Sequence, residues 1–202
     1  MNINPSSYRV AVVTGAARGI GLAIARWFLD HDHAVVLVDR DSTALEASAA
    51  TLGQAFPGRV MGVDADVSKT DDVARAVADT STRFGRIDAL VNNAGVAVFK
   101  PILDTSFAEF REVLATNLDG AFLCTQAAAP VMLRGIERGI QRGAAVVNIA
   151  SISGLRASTL RVAYGTSKGA LIHLTKQQAV ELGNRGIRCN ASKGFLRPAR
   201  RR

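Results

Sequence analysis

Two side chains in the carboxyl-terminal quarter of the chain have types and spacing suited to acid–base chemistry. Tyr164 and Lys168 lie four residues apart, which places a phenol and an amine on one face of a helix. A free phenol titrates near 10, and a neighbouring ammonium favours its phenolate form. The pair could therefore exchange a proton with a substrate during interconversion of an alcohol and a carbonyl. Taken alone the spacing is weak evidence, because Tyr and Lys often meet at it by chance.

Three further polar residues could assist this pair. Ser151 follows a predicted strand, and its hydroxyl could hydrogen-bond the reacting oxygen beside Tyr164, although Ser153 is a rival for that role. Asn117 is a poor helix former inside a long predicted helix. It could be an ordinary surface residue, or a local helix distortion there could hold a water for proton relay.

A glycine-rich turn at residues 14–21 follows the first predicted strand. Glycines let the backbone approach a bulky ligand, and the N–H groups at the start of the next helix favour a pyrophosphate. The spacing G-x-x-x-G-x-G differs from the common G-x-G-x-x-G fingerprint. A tight turn beneath a closely packed helix is the alternative, but the strand–turn–helix context favours a dinucleotide. The residues predicted to contact it here are Gly15, Arg18, Gly19, Ile20 and Gly21.

An acidic residue ends the second predicted strand, 18 residues after Gly21. This carboxylate, Asp39, could accept hydrogen bonds from the adenosine ribose hydroxyls and would repel a 2′-phosphate. NAD is therefore favoured over NADP as the cofactor. Arg18 and Arg40 oppose this preference, since either cation could hold a phosphate. A solvated carboxylate at the start of a turn is the alternative for Asp39.

The next two predicted strands also end in candidate cofactor residues. Asp66 and Val67 follow the third strand and could contact the adenine. Asn93, Ala94 and Gly95 follow the fourth strand. The Asn side chains there could tie strand ends together, and the two small residues would leave room for a cofactor. A purely structural turn explains these residues equally well when they are considered alone.

Strand-like and helical segments alternate along the chain and would bring these residues together. Strands are predicted at residues 9–14, 34–39, 59–64, 87–92, 144–150 and 187–191, and helices at 19–30, 42–54, 69–84, 106–134 and 162–183. Ser42 is the predicted cap of the second helix. This alternation predicts a doubly wound parallel sheet of the Rossmann type, with three α/β/α layers. Ligands bind beyond the carboxyl ends of such strands, where the candidate residues fall.

Composition excludes several classes of protein. Hydrophobic residues make up 48% and charged residues 21%, which argues against disorder. No apolar run reaches the roughly 18 residues that a membrane span requires, and residues 1–8 do not resemble a secretory signal. The two cysteines, Cys124 and Cys189, cannot form a disulfide scaffold and lack metal-ligand spacing. We therefore predict a cytoplasmic protein without a metal site.

Together, these motifs resemble those of the short-chain dehydrogenases/reductases over about residues 9–190. The segments that carry the resemblance occur in the family's order: residues 14–21, residues 92–95, Asn117, Ser151 and residues 164–168. The resemblance implies a Rossmann-type fold, a nicotinamide cofactor and hydride transfer at a secondary alcohol or ketone. It also implies a homo-oligomer.

The resemblance further implies a role for each polar residue. Tyr164 would be the acid and base, and Lys168 would bind the nicotinamide ribose and promote ionisation of the phenol. Ser151 would orient the substrate oxygen, and Asn117 would complete a proton relay. The 13-residue interval from Ser151 to Tyr164 fits the family and favours Ser151 over Ser153.

The chain departs from the family after Asn190. The family continues to a Pro-Gly turn that contacts the nicotinamide, whereas here residues 193–194 are Lys-Gly. A further crossover unit needs ~30 residues, more than remain, so we expect the last strand and the substrate lid to be missing. The prediction is a dinucleotide-binding and catalytic domain over residues 1–190 and an atypical basic tail over 191–202. A truncated or frame-altered product would explain this ending. We expect such a product to have reduced or no activity and to aggregate, and its ending puts in question the homo-oligomer that the resemblance implies.

The positive charge is concentrated in that tail. Of the formal net charge of +8, the final 12 residues carry +5. Such a tail attracts polyanions without specificity, and no recognition motif accompanies it, so a specific nucleic-acid site is not expected. The sequence therefore predicts an NAD(H)-dependent oxidoreductase acting on a small alcohol or ketone. The alternative is a non-catalytic NAD-binding remnant or regulator that lacks the substrate lid.

Overall fold

The computed structural model describes residues 8–192. The predicted basic tail lies outside these residues except for its first two positions, and so do Lys193 and Gly194 and the first seven residues of the chain. Within the described range, none of the helices combines the length and apolar character needed to cross a membrane.

Six strands alternate with helices along the chain, as predicted. The strands are β1 (Arg9–Thr14), β2 (His33–Asp39), β3 (Val60–Asp64), β4 (Ala89–Asn92), β5 (Ala144–Ile149) and β6 (Ile187–Ser192). The longer helices are α1 (Gly19–Asp30), α2 (Ser42–Ala55), α3 (Thr70–Phe84), α4 (Phe107–Leu114), α5 (Gly120–Glu137) and α6 (Val162–Leu182).

All six strands are parallel and form one sheet in the order β3-β2-β1-β4-β5-β6. The strand order reverses between β1 and β4, and a crevice forms at this point beyond the strand ends. As far as the described residues extend, β3 and β6 are the edges of the sheet. The predicted doubly wound α/β fold is confirmed.

Helices cover both faces of the sheet because alternate strand residues are buried on opposite sides. In β1, Val10 and Val12 belong to the core shared with α3, α5 and α6, whereas Ala11 and Val13 belong to the core shared with α1 and α2. Strands buried in this way contain nearly continuous apolar residues, which is the pattern on which the strand predictions relied. The architecture has three layers.

The predicted helix over residues 106–134 is present as α4 and α5, which a π-helical turn, Ala115–Asp119, joins at the position of the expected distortion. The predicted cap of α2 needs correction. Ser42 does not cap α2, because it is already the first helical residue. The cap is Asp41, whose Oδ1 accepts a hydrogen bond from the backbone N–H of Ala44 at 3.1 Å.

Candidate active site

The glycine-rich turn joins β1 to α1. The backbone of this turn lies in direct contact with the backbone at the start of α1. Gly15 has a φ of +63°, and a Cβ on Gly21 would lie only 2.1 Å from the Gly15 carbonyl oxygen. Only glycine fits at position 21, so helix α1 begins directly against the turn. The Arg18 side chain does not cap this helix, which leaves the N–H groups of its first turn facing the strand ends.

The ends of β1 and β4 are tied together by side-chain hydrogen bonds. Thr14 Oγ1 accepts from the backbone N–H groups of Asn93 and Ala94, each at 3.0 Å. Asn93 Nδ2 donates to the carbonyl oxygens of Thr14 and Gly15 at 3.0 and 3.1 Å. The prediction that an Asn side chain ties these strand ends together is confirmed. Asn93 therefore holds the glycine turn in place.

A cavity of about 270 Å³ lies at the point where the strand order reverses. It brings together eight of the predicted cofactor residues: Gly15, Arg18, Asp39, Asp66, Val67, Asn93, Ala94 and Gly95. The other predicted cofactor residues do not line it: Gly19, Ile20, Gly21, Tyr164 and Lys168, of which Gly21 packs against Gly15 instead. The cavity is therefore built from the ends of β1, β2 and β4 and the segment after β3.

Asp39 lies in this cavity with its carboxylate held by the backbone. Its Oδ2 accepts from the N–H of Ala17 at 3.0 Å, and its Oδ1 accepts from the N–H of Asp41 at 3.1 Å. These bonds fix the carboxylate at the end of β2 and join it to the glycine turn. Each oxygen retains a second lone pair that can accept a hydrogen bond from a ligand.

The two arginines that could hold a phosphate are both paired with carboxylates. Arg18 forms an ion pair with Asp41, and Arg40 Nη1 lies 3.8 Å from Asp66 Oδ2. Partial burial opposes ionisation of Asp66, but hydrogen bonds from the Ser68 backbone and hydroxyl hold its pKa below the usual range. Both guanidinium groups therefore face a negative charge at this end of the cavity.

Tyr164 and Lys168 lie on α6, and the predicted helix is confirmed, although neither side chain lines this cavity. Lys168 is only 4% exposed, and its Nζ lies 5.7 Å from the centroid of the Tyr164 ring. The amine donates to the carbonyl oxygen of Ile149 at 2.6 Å. A Cβ on Gly95 would lie 3.6 Å from the same Nζ, so the amine lies close to one residue of the cavity lining as well as to the Tyr164 ring. Burial lowers the pKa of Lys168 to about 8.

The loop after β5 brings two serines to the same helix. Gly154 packs so closely on α6 that a Cβ there would lie 2.6 Å from the Lys168 carbonyl carbon. Ser151 Oγ accepts from the backbone N–H of Ser153 at 3.1 Å, whereas Ser153 Oγ accepts from Arg161 Nη1 at 3.3 Å. In the described part of the chain, the Ser151 hydroxyl proton has no acceptor, so it is free to donate to a substrate.

Asn117 lies in the π-helical turn and is 1% exposed, so the surface alternative is wrong and the expected helix distortion is present. Its Oδ1 accepts from the N–H of Val96 at 2.8 Å, and its Nδ2 donates to the Val96 carbonyl at 2.9 Å and to Ser167 Oγ at 3.0 Å. The side chain thus links the segment after β4 to α6, next to Lys168.

Several further residues shape the site, and among them the roles of Thr14, Thr116 and Asn148 were not predicted from the sequence. Val96 and Thr116 line the cavity, and Thr14 fixes its floor. Beneath it, Asn92 Nδ2 donates to Asn148 Oδ1 at 2.8 Å, which joins β4 to β5 at matching register. An Asn or Thr at the end of an otherwise apolar strand was the available signal, because a buried polar side chain must find a partner.

The burial of Lys168 leads to a prediction about stability. Its folded pKa of about 8 lies below the ordinary value of 10.5, so the unfolded chain binds more protons between these values and stability rises with pH across that window. At pH 7 the buried ammonium opposes folding fully. Replacing Lys168 with Met should therefore raise the free energy of unfolding at pH 7 by up to about 3 kcal/mol, and the gain should vanish near pH 10.5.

Urea denaturation at both pH values measures this effect. Lys176→Met is the matched control, because Lys176 is exposed on the same helix, and its replacement should change little at either pH. An equal gain for Lys168→Met at pH 7 and pH 10.5 would show that the ammonium is not the cause.

Comparison of the sequence and of the structure with known proteins finds dehydrogenases in each case. A family model described as short chain dehydrogenase matches residues 9–194. The chain is 45% identical to 2-(R)-hydroxypropyl-CoM dehydrogenase of Xanthobacter autotrophicus over 91% of its own length and 72% of that protein. It is 37% identical to meso-2,3-butanediol dehydrogenase of Serratia marcescens, over 91% and 69%. The structure of NAD+-bound xylitol dehydrogenase superposes with a TM-score of 0.84 at 34% identity, covering 95% of this chain and 70% of that one.

Proposed function

The chain belongs to the short-chain dehydrogenase family, and we propose that it is an NAD(H)-dependent oxidoreductase that interconverts a secondary alcohol and a ketone by hydride transfer. The observation that carries the proposal is the position of the Lys168 amine, which lies close to Gly95 of the strand-end cavity and 5.7 Å from the centroid of the Tyr164 ring. A relative that acts on meso-2,3-butanediol, by its name, supports a small alcohol as substrate.

The cavity has the features that a dinucleotide requires. Gly15 lies against Ala94, where a Cβ would come within 2.8 Å of the Ala94 Cα, so no side chain obstructs the approach of a pyrophosphate to the start of α1. Asp39 offers lone pairs to a ribose at the end of β2. NAD is favoured over NADP because this carboxylate would repel a 2′-phosphate and because Arg18 and Arg40 already pair with carboxylates.

In the proposed mechanism, the side chains of this chain handle the proton. A nicotinamide cofactor held by the residues of the strand-end cavity would supply the hydride acceptor for the alcohol carbon and the hydride donor for the ketone. Tyr164 Oη takes the hydroxyl proton as the carbonyl forms, and the Lys168 ammonium stabilises the phenolate that precedes this transfer. The Ser151 hydroxyl donates a hydrogen bond to the substrate oxygen and so fixes it beside the phenol.

Asn117 would act through its backbone in this mechanism. Its side-chain amide already bonds to Val96 and Ser167 and is not free to carry a proton. A π-helical turn breaks the regular hydrogen bonding of the helix. We propose that the Asn117 carbonyl holds the water that connects the Lys168 amine to solvent.

The proposal is tested by titrating the chain with NAD and NADP and by screening secondary alcohols for reduction of each cofactor. We expect NAD to bind more tightly than NADP and at least one secondary alcohol to be oxidised. Binding of NAD without turnover of any alcohol would favour a non-catalytic NAD-binding protein instead. A folded chain that binds neither cofactor would refute both functions.

Asp39 should determine the choice of cofactor. Asp39→Asn keeps the shape of the side chain but removes the negative charge, so NAD affinity should fall about tenfold. The ratio of NAD affinity to NADP affinity should fall by more than this, because the charge that repels a 2′-phosphate is lost as well. Isothermal calorimetry with both cofactors measures the change. Glu46→Gln on the exposed side of α2 is the control and should leave both affinities unchanged. An unchanged ratio in Asp39→Asn would remove Asp39 from cofactor selection.

A further inference from the structure

A second cavity, of about 690 Å³, is lined by Ser153, two residues after Ser151, and by Val162 and Gly165, which flank Tyr164 in the α6 sequence. It is bounded by the segment that begins at Lys100, by the loop before α6 and by Gly165 and Thr166 of α6 itself. Among the described residues that line it are three cationic side chains, Lys100, Arg156 and Arg161, and no carboxylate. A cavity formed by the segments that carry Ser151 and Tyr164 is therefore lined by positive charge.

The three cations differ in how far they are neutralised. Lys100 pairs with Glu109 at 2.5 Å, so its charge is already balanced. Neither Arg156 nor Arg161 forms an ion pair within residues 8–192, although seven other pairs occur there. The cavity thus retains two guanidinium groups whose charge no described carboxylate offsets.

Two contacts hold the Arg161 side chain and leave its charge unbalanced. Its guanidinium carbon lies 5.1 Å from the centroid of the Phe99 ring, and that ring lies 6.5 Å from the ring of Tyr164. Its Nη1 also donates to Ser153 Oγ at 3.3 Å. An aromatic face and one hydroxyl orient the guanidinium, but its remaining N–H donors can bind an oxyanion through two parallel hydrogen bonds.

The backbone at this position also fixes Arg161. Leu160 has a φ of +64°, an uncommon conformation for a branched residue. Its carbonyl accepts from the Lys100 N–H at 3.1 Å, and Lys100 and Arg161 form a bridge between the two segments. The strained residue therefore docks the loop on the segment after β4 and directs the residue that follows it to the cavity. Strain of this kind persists where the surrounding structure enforces a particular position.

Building on the proposed function, we propose that the substrate is a secondary alcohol or ketone with an anionic group, a carboxylate, sulfonate or phosphate, that Arg161 binds. The anion would lie against the Arg161 guanidinium, on the part of the chain where Phe99 contacts both Arg161 and Tyr164, while Tyr164 and Ser151 contact the reacting oxygen. Arg156 would contribute a weaker, longer-range attraction from the same loop. A neutral alcohol of the same size would leave both charges unpaired and would bind less tightly.

The test uses ketones in the presence of NAD, a combination that binds without reacting. The probes are 4-oxopentanoate and 5-oxohexanoate, each compared with its neutral methyl ester, and calorimetry with and without NAD measures their affinities. At least one carboxylate should bind about tenfold to a hundredfold more tightly than its ester. Arg161→Gln should abolish this preference. Arg142→Gln, which changes an exposed arginine on the loop before β5, should retain it.

Two results would overturn the anion site: carboxylates that bind no more tightly than their esters, or a preference that survives in Arg161→Gln. A parallel turnover assay separates this outcome from failure of the proposed function. Oxidation of neutral alcohols without a preference for anions would refute the anion site alone. A preference for anions that depends on Arg161, without oxidation of any alcohol, would support the anion site and refute the oxidoreductase.

Discussion

Replacing Tyr164 with Phe should lower the rate of alcohol oxidation by about 10²- to 10⁴-fold, the range typical of general acid–base catalysis, while NAD affinity stays the same. The change removes one oxygen and keeps the ring, which lies near Phe99 and the Lys168 amine. The proton of the substrate hydroxyl would then have no acceptor beside the reacting carbon. Appearance of NADH in a single turnover measures the rate, and calorimetry measures binding.

The chain offers a matched control for this substitution, because it contains only two tyrosines. Tyr8 precedes β1, at the amino end of the strands, where the Arg59 guanidinium lies 5.0 Å from its ring. Tyr8→Phe should therefore leave the rate unchanged. Equal rates for Tyr164→Phe and the unmodified chain would mean that another group accepts the proton.

Replacing Gly21 with Ala should destabilise the chain by about 3 kcal/mol or more, at the upper end of what overpacking costs, and should abolish NAD binding. The added Cβ would overlap the carbonyl oxygen of Gly15, at 2.1 Å, and approach Asn93 Nδ2, at 2.6 Å. The turn and the start of α1 would have to separate, which would also break the bonds that Asn93 makes to the turn. Urea denaturation and NAD calorimetry measure the two effects.

Gly53→Ala is the control for this effect. Gly53 also lies in a helix, but a Cβ there would meet no atom within 4 Å. Since Ala is the better helix former, this change should stabilise the chain by roughly 0.5–1 kcal/mol. If Gly21→Ala and Gly53→Ala were equally stable, lack of space between the turn and α1 would not be the reason for glycine at position 21.

The fold could be predicted because its signals are local. Strands buried on both faces contain continuous apolar residues, as in β1 and β2, and parallel strands joined by helices leave few possible topologies. The proximity of Tyr164 to Lys168 follows from helical spacing alone. The same holds for the residues at the strand ends, since parallel strands end at one edge of the sheet.

The partners of individual side chains could not be predicted in the same way. Asp41 was not identified as the cap of α2 because Ser42 suits that role equally well from its type. The helix break at Asn117 was foreseen only as a possibility, since the bonds that hold its side chain involve Val96 and Ser167, 21 and 50 residues away. Contacts over such distances in sequence depend on how the elements pack.

The sequence by itself determined the strand and helix order, the sheet class and the identity of the residues at the strand ends, because hydrophobic periodicity and short spacings encode them. Only the tertiary structure decided which charges remain unpaired. Arg18 and Arg40 find carboxylates near the first cavity, whereas Arg161 meets an aromatic ring and a hydroxyl beside the second. Electrostatic attraction acts through space between elements, so the charge that each cavity presents to a ligand exists only once the chain has folded.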